Sequence, residues 1–382
     1  MDAAPRVWLG APSKGGLALP DAKPSASQLY APRGVWLDDR RLIVVDSGNH
    51  RVLVWNHSPD ADHAPADVVL GQPSFESEGP RAAGRGAANG LHLPTGVLVV
   101  DGRLFVADAW HHRVLVWNRV PEVSDTPPDV VLGQPDSSSI EPNAGGSVSA
   151  STFYWPYGIG CVAGRFIVTD TGNRRVLIWD GVPEPGQPAD VVLGQDSSTT
   201  ALENRGGPPT ARSFRWPHAV AGDERRLWVA DAGNHRVLGW NGTPDGDVDA
   251  AEVLGQPDFA HNGEFPYRPQ TARMLRFPYS VASDATTLIV ADTANNRVLV
   301  HPVLDDGRAA DAVLALGQPD LASNGENRWR AVAADTLCWP YGVALWQGLV
   351  AVADSGNNRV MLWRLERPAA RAAHERTEPT CV

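Results

Sequence analysis

The sequence predicts an all-β chain, a six-bladed β-propeller of four-stranded antiparallel blades. Three observations predict it. The stretch Asp46-Ser47-Gly48-Asn49-His50-Arg51-Val52-Leu53 recurs from Asp108, Asp170, Asp231, Asp292 and Asp354, at steps of 61 or 62 residues. A fixed period is the signature of a repeat architecture. Each period holds four short β-branched runs bounded by Gly, Pro, Asn and Asp, as expected of strands joined by turns. The sixth unit stops after its third run, Arg359-Val360-Met361-Leu362-Trp363, and the missing fourth lies at the other end of the chain. There Arg6-Val7-Trp8-Leu9-Gly10-Ala11-Pro12-Ser13 matches Val68-Val69-Leu70-Gly71-Gln72-Pro73-Ser74. Such a swap requires the first and last units to be neighbours, which means a closed ring with short, protected strand edges.

The elements follow in order within each unit. The innermost strand follows a Pro-x-Gly-Val signal, as in Pro32-Arg33-Gly34-Val35 and Pro156-Tyr157-Gly158-Ile159. The second ends at the repeat aspartate, as in Arg41-Leu42-Ile43-Val44-Val45, and the third is Arg-Val-Leu-Val-Trp. The fourth is Asp67 to Gln72, repeated at Asp129 to Gln134, Asp190 to Gln195, Ala251 to Gln256 and Ala312 to Gln318. Between strands two and three, the glycine and asparagine of Asp-Ser-Gly-Asn suit the positive φ of a tight turn. The arginine that follows has a fork matched to a buried carboxylate of its own or an adjacent blade. These six Asp and six Arg are expected to be structural. His50, His112 and His235 share a place held elsewhere by Arg174, Asn296 and Asn358, which reads as a tolerant surface position. One propeller over residues 1–366 is expected, with residues 6–13 as the outer strand of the last blade. Residues 367–382 show no strand pattern and read as a mobile tail in which Cys381 is an exposed thiol.

Composition narrows the function. A formal net charge of −11 and a pI of about 5.4 argue against nucleic-acid and anionic-membrane binding, both of which rest on a basic field. Three cysteines without a C-x-x-C pair indicate neither a disulfide framework nor a structural zinc site. The chain begins without a charged start followed by an apolar stretch, and no run reaches the roughly 18 apolar residues of a membrane span. A soluble, cytoplasmic, monomeric protein is expected.

Pro-x-Gly-Val, a strand to Val-Ala-Asp, then Ser-Gly-Asn-His-Arg-Val resembles the NHL repeat, and the resemblance runs from about Arg6 to Arg364 in all six copies. The units exceed the usual NHL length, with the excess in loops beside Leu-Gly-Gln. Blade 2 departs with Ala109-Trp110-His111-His112 in its turn, and blade 5 ends in Val300-His301-Pro302 where others carry Trp.

Topology places the long connections, such as 196–214 and 258–277, on the face that carries the Asp turns, here the top. Acidic, Pro-rich loops gather on the bottom. The inner strands begin at the top, so the residues after each proline, Arg33, Thr95, Tyr157, His218, Tyr279 and Tyr341, ring the mouth of the axial channel. Those before it are Ala31, Leu93, Trp155, Trp216, Phe277 and Trp339; they are read either as core fillers or as pocket walls. Aromatic walls with a few convergent polar groups suit a small molecule, a peptide or a protein segment. The ligand-binding set is therefore Arg33, Tyr157, His218, Tyr279, Tyr341, Trp155, Trp216 and Trp339, on a binding or scaffold propeller with no predicted cofactor.

The alternative is a lyase or hydrolase at the same mouth, with His218, Arg33 and Tyr157 as the catalytic candidates. It resembles NHL-type peptide-amidating lyases, which hold zinc with three histidines. That pattern is not reproduced here, where His92, His218 and Cys338 are the candidates for a transition metal. Ten top-loop arginines, at 81, 85, 205, 212, 215, 268, 273, 276, 328 and 330, carry a further alternative: the basic RNA-binding top face of some NHL propellers.

Overall fold

The computed structural model describes residues 1–12, 16–21, 23–264, 268–366 and 381. Six separate four-stranded antiparallel sheets follow one another around a ring. The first blade is made of β2 (Gly34–Leu37), β3 (Leu42–Asp46), β4 (Arg51–Trp55) and β5 (Val68–Leu70), in that order from the axis outward. The sixth has inner strands Pro340–Trp346, Leu349–Asp354 and Arg359–Glu366. Its outer strand is β1 (Asp2–Gly10), paired from Asp2 opposite Glu366 to Gly10 opposite Arg359 with an irregularity between Pro5 and Val7. Closure by the first strand is as the sequence predicts, and the strand begins four residues earlier than the match at Arg6. The tail expected at 367–382 lies outside the described residues except for Cys381.

Apolar clusters fill the seams between blades. One joins Val7, Leu9, Leu37, Val44 and Trp55 to Ala351, Val360 and Leu362, so blades 1 and 6 share a core just as the others do. At about 25 cal/mol per Å² of apolar area removed from water, these seams supply most of the stabilisation of the ring.

Each repeat aspartate is fully buried and pairs with the arginine of its own blade: Asp46–Arg51, Asp108–Arg113, Asp170–Arg175, Asp231–Arg236, Asp292–Arg297 and Asp354–Arg359, all at 2.6–3.0 Å. The rest of the guanidinium fork binds loop carbonyls; Arg175, for instance, donates to Ser149, Thr152 and Ser198. A desolvated charge that hydrogen-bonds both the carboxylate and several loop carbonyls ties the long connections down onto the turn. The glutamine of Leu-Gly-Gln does related work: the Nε2 group of Gln72 donates to the carbonyls of Asn49 and Gly79, and those of Gln134, Gln195, Gln256 and Gln318 repeat the bond to the turn. In blade 5, His301 replaces the usual Trp and keeps its bond, Nδ1 to the carbonyl of Ala310 at 2.9 Å, where Trp55 Nε1 donates to that of Ala64.

Two expectations about the turn are corrected. The residue with positive φ is neither the glycine nor the asparagine but the next one, from His50 (φ 54°) to Asn358 (φ 53°). Gly48 is required for space instead, since a Cβ there would lie 2.5 Å from the Tyr30 ring and 2.6 Å from its carbonyl oxygen. Nor is the histidine position merely a tolerant surface site. Nδ1 of His50, His112 and His235 accepts the backbone N–H of Leu93, Trp155 and Phe277, and Oδ1 of Asn296 and Asn358 accepts that of Trp339 and Ala31, at 3.0–3.2 Å. These five acceptors latch each blade to the residue before the next blade's proline, and all five of those residues adopt φ between 44° and 56°. The sixth junction has Arg174, which offers no acceptor. There the Trp216 N–H turns to Asp231 instead, at 3.2 Å, and Trp216 keeps negative φ.

The cysteines also depart from expectation. Cys381 is buried, packs among residues of blades 2 and 3, and is joined to Cys161 as a disulfide with the Cα atoms 6.4 Å apart. Its backbone N–H donates to Asp101 at 3.1 Å. Cys338 is a buried free thiol. Among the described residues no helix is long and apolar enough to cross a membrane.

Candidate functional site

The prolines start the inner strands, and the residue after each one points into the mouth of the channel. Five of them close on each other there. Ring centroids of Tyr157 and His218 are 4.3 Å apart, those of His218 and Tyr279 4.4 Å, and those of Tyr279 and Tyr341 4.6 Å; the Arg33 guanidinium lies 5.0 Å from the centroid of Tyr341. Thr95 fixes the ring from below, donating its hydroxyl to the Tyr157 carbonyl at 2.8 Å. The structure thus brings Arg33, Tyr157, His218, Tyr279 and Tyr341 together, as the sequence predicts. It does so as a packed cap rather than an open pocket: Tyr157 and His218 are buried, and Arg33, Tyr279 and Tyr341 are half-buried.

Electrostatics at the cap disfavour proton transfer near neutrality. His218 donates Nδ1–H to the Trp216 carbonyl at 2.9 Å, which leaves Nε2 as its lone-pair nitrogen. Burial, with Arg33 adding to it, holds this imidazole down at about 3. Burial pushes the Tyr279 hydroxyl up to about 12 and raises that of Tyr157 further. No carboxylate figures among the causes of these shifts. A neutral histidine with a very low pKa beside phenols that stay protonated is a poor acid–base pair, because an effective one has pKa values near the working pH. The Tyr157 hydroxyl is buried beside Arg33 without a well-formed hydrogen bond.

The residues before the prolines do not fill the core. Trp339 is 39% exposed, and Trp155, Trp216 and Phe277 are half-buried. Trp216 stacks on Phe277 with centroids 6.2 Å apart and an interplanar angle of 20°. Positive φ at Trp155, Phe277 and Trp339 is uncommon for bulky residues and is retained only where the surroundings enforce it. These indoles form a rim around the cap, joined by exposed Trp110 against Trp155 and exposed Tyr154 against His112. The signal for Trp110 was present in the altered blade-2 turn.

The metal candidates His92, His218 and Cys338 sit in blades 2, 4 and 6, and among the described residues no three His, Cys, Asp or Glu side chains form a group suited to a metal ion. Burial pushes the Cys338 thiol up to about 12, against reactivity at neutral pH. Seven of the ten top-loop arginines are paired with carboxylates: Arg205 with Asp196, Arg212 with Asp249, Arg215 with Glu203, Arg273 with Asp311 and Arg328 with Asp335 at 2.6–3.1 Å, together with Arg85–Asp125 and Arg276–Glu264. Asp125, Asp249 and Asp311 lie on the loops between third and fourth strands expected on the bottom, so Arg85, Arg212 and Arg273 reach those loops and do not form a separate basic top face. A separate cleft of about 450 Å³, lined by Glu252, Phe259, Arg273, Leu304, Arg308 and Asp311, lies away from the mouth between blades 4 and 5.

The family model of the NHL repeat matches residues 337–360. No curated protein matches the chain. Among solved structures it is similar to selenomethionine-substituted virginiamycin B lyase from Staphylococcus aureus, at 11% identity and a TM-score of 0.49, covering 90% of this chain and 98% of that one. It is also similar to the holo PQQ domain of pyranose dehydrogenase from Coprinopsis cinerea, at 14% identity and a TM-score of 0.49, covering 94% and 100%. Likenesses this distant say nothing of activity. Six copies of the repeat in the sequence, six four-stranded blades in the structure and the family match on the last of them identify the chain as an NHL-repeat six-bladed β-propeller.

Proposed function

We propose that this propeller is a binding or scaffold module that takes a protein segment, a peptide or a small molecule on its top face, over the cap and its aromatic rim. The observation that carries this reading is the combination at the mouth. The central groups are locked on each other and hold no acid–base pair poised near neutrality, while indoles around them stand out in enforced conformations. Rigid aromatic anchors around a fixed platform suit recognition, since little side-chain freedom is lost on binding. The lyase or hydrolase alternative has weaker support, because its catalytic candidates His218, Arg33 and Tyr157 are engaged with one another or buried.

The Cys161–Cys381 disulfide bears on where the protein works. Disulfides persist in oxidising surroundings, so the pair weighs against the cytoplasmic location expected from the cysteine count.

The test is affinity capture with the intact chain and its Tyr341→Ala and Trp339→Ala variants, with elemental analysis of the native protein alongside. A partner or small molecule retained by the wild type and lost from both folded variants is the expected result. A stoichiometric transition metal, together with turnover abolished by His218→Ala, would replace binding with catalysis.

A further inference from the structure

The blade-2 turn departs from the other five at three linked positions. The second place of the turn is Gly48, Gly172, Gly233 and Gly356 in blades 1, 3, 4 and 6, where a Cβ would come within 2.4–2.7 Å of the residue two before the proline, and Ala294 in blade 5. In blade 2 that place is Trp110, 46% exposed, and the residue it meets is His92, with ring centroids 5.7 Å apart. The third place is Asn49, Asn173, Asn234, Asn295 and Asn357 in the other blades, each donating to its aspartate at 2.7–2.9 Å. In blade 2 it is His111, whose Nδ1 keeps that bond to Asp108 at 2.8 Å. The imidazole therefore satisfies the structural role of the asparagine and adds a second nitrogen. That nitrogen, Nε2, is buried and has no partner.

A run of rings leads from this nitrogen toward the mouth. His111 packs edge-on against His92 at 5.5 Å, Trp110 lies 6.1 Å from Trp155, and Trp155 lies 6.4 Å from Tyr157. Trp155 Nε1, like His111 Nε2, is buried without a hydrogen bond, and the Tyr157 hydroxyl beyond it lies against Arg33. Buried polar atoms in native proteins are nearly always paired, so two orphans close to exposed Trp110 call for a missing partner.

We propose that this run is a subsite for a neutral saccharide. With Nδ1–H committed to Asp108, His111 Nε2 is an acceptor and needs an O–H or N–H donor, whereas the Trp155 N–H needs an acceptor. Sugar hydroxyls serve as both, and the C–H face of a pyranose packs against an indole such as Trp110. Burial keeps the surrounding imidazoles of His50, His92 and His112 neutral, so the groups around His111 ask for hydroxyls rather than charges; the cations nearest the run are Arg81 beside His92 and Arg33 beside Tyr157. A proline-rich segment would also stack on these rings, but proline has no N–H to give His111. Access to Nε2 requires His92 to turn aside; this ring is half-buried, and among the described residues no hydrogen bond holds its nitrogens. The inference rests on the reading of the top face as a binding face, and it places the ligand's anchor in blade 2 rather than over the cap.

The experiment screens the intact chain against an array of neutral oligosaccharides (glucans, mannans, xylans and chitin oligomers) and a proline decapeptide, then measures binders by calorimetry. Three variants accompany the wild type. Trp110→Gly with His111→Asn restores the Gly-Asn turn of blades 1, 3, 4 and 6, His111→Asn alone guards against misfolding of the pair, and Leu304→Ala alters an exposed apolar side chain of the separate cleft between blades 4 and 5. The expected result is binding of at least one neutral glycan that weakens about tenfold or more in both blade-2 variants and is unchanged in Leu304→Ala. Absence of any glycan binding, or glycan binding indifferent to Trp110 and His111, would overturn the proposal, as would Trp110-dependent binding of the decapeptide alone. If binding depends on Tyr341 and Trp339 but not on blade 2, this subsite fails while the broader reading of the top face stands.

Discussion

Two rings of side chains encircle the same axis, and they differ in how much their members vary. The Asp–Arg ring repeats one chemistry six times: the same carboxylate, the same fork and full burial in every blade. The ring at the mouth uses four residue types, with Arg33, Thr95, Tyr157, His218, Tyr279 and Tyr341 on the same backbone position. A position that architecture dictates must be filled identically in every blade, because each blade poses the same packing problem. A position free to vary from blade to blade is where a binding face can be shaped. The blade-2 turn belongs to both: Asp108 and Arg113 keep the structural pair, while Trp110 and His111 break the pattern around it.

The sharpest way to break this comparison is to remove one member of the repeated ring. Arg175→Ala leaves Asp170 buried without its cation and three loop carbonyls without their donor. A buried pair broken on one side costs about 3–5 kcal/mol, whereas truncation of an exposed rim residue such as Trp339 costs about 1 kcal/mol or less. Urea unfolding monitored by far-ultraviolet circular dichroism checks this. Equal losses at the two sites would remove the distinction between architectural and variable rings.

A somewhat smaller effect is expected at the Cys161–Cys381 bond, which belongs to neither ring. Cys381→Ser under non-oxidising and oxidising conditions alike should unfold as the reduced wild type does, and the oxidised wild type should exceed both by about 2–4 kcal/mol. Thiol titration of the native protein checks the bond itself: one free thiol, Cys338, is expected after denaturation without reductant, and three would show that the bond is not formed.

What could be read from the sequence follows from what is local. The 61–62-residue period, the strand runs and the displaced outer strand are all properties of neighbours in the chain, and they led to the six-bladed ring and its closure. The Cys161–Cys381 pair spans 220 residues and has no local mark. The residues before the prolines misled for a physical reason: proline pushes its predecessor toward extended backbone, yet a latch from the preceding blade holds five of the six at positive φ. That latch joins residues 42 or 43 positions apart within the chain, and in the Ala31–Asn358 case 327 apart, so no window on the sequence displays it. At the mouth, the ring membership was legible from the Pro-x-Gly signal, but the mutual packing of Tyr157, His218 and Tyr279 was not, because it depends on the radius of the closed ring.

The latch also supplies the finest test of the comparison, since it is architectural yet tolerates two chemistries. Histidine Nδ1 and asparagine Oδ1 both accept the N–H, but only histidine titrates. Burial, with His92 and His111 adding to it, lowers the pKa of His50 to about 4 from an ordinary value of 6.5. The unfolded chain therefore takes up a proton at a higher pH than the native one, so the contribution of His50 to stability is complete above about pH 6.5 and declines as the pH falls toward 4. Protonation also abolishes the lone pair that holds Leu93. His50→Asn should match the wild type at pH 8 and exceed it at pH 5, while His50→Ala should lose about 0.5–1.5 kcal/mol at pH 8 through the missing acceptor. Arg174→Asn is the converse, since it offers Trp216 the acceptor that blade 3 lacks; the expected gain is under about 1 kcal/mol, with Trp216 moving to positive φ. Chemical denaturation at the two pH values reads all three. If His50→Asn loses stability on acidification as steeply as the wild type, the latch does not depend on a neutral histidine, and the coupling of side-chain acceptor to backbone conformation is wrong.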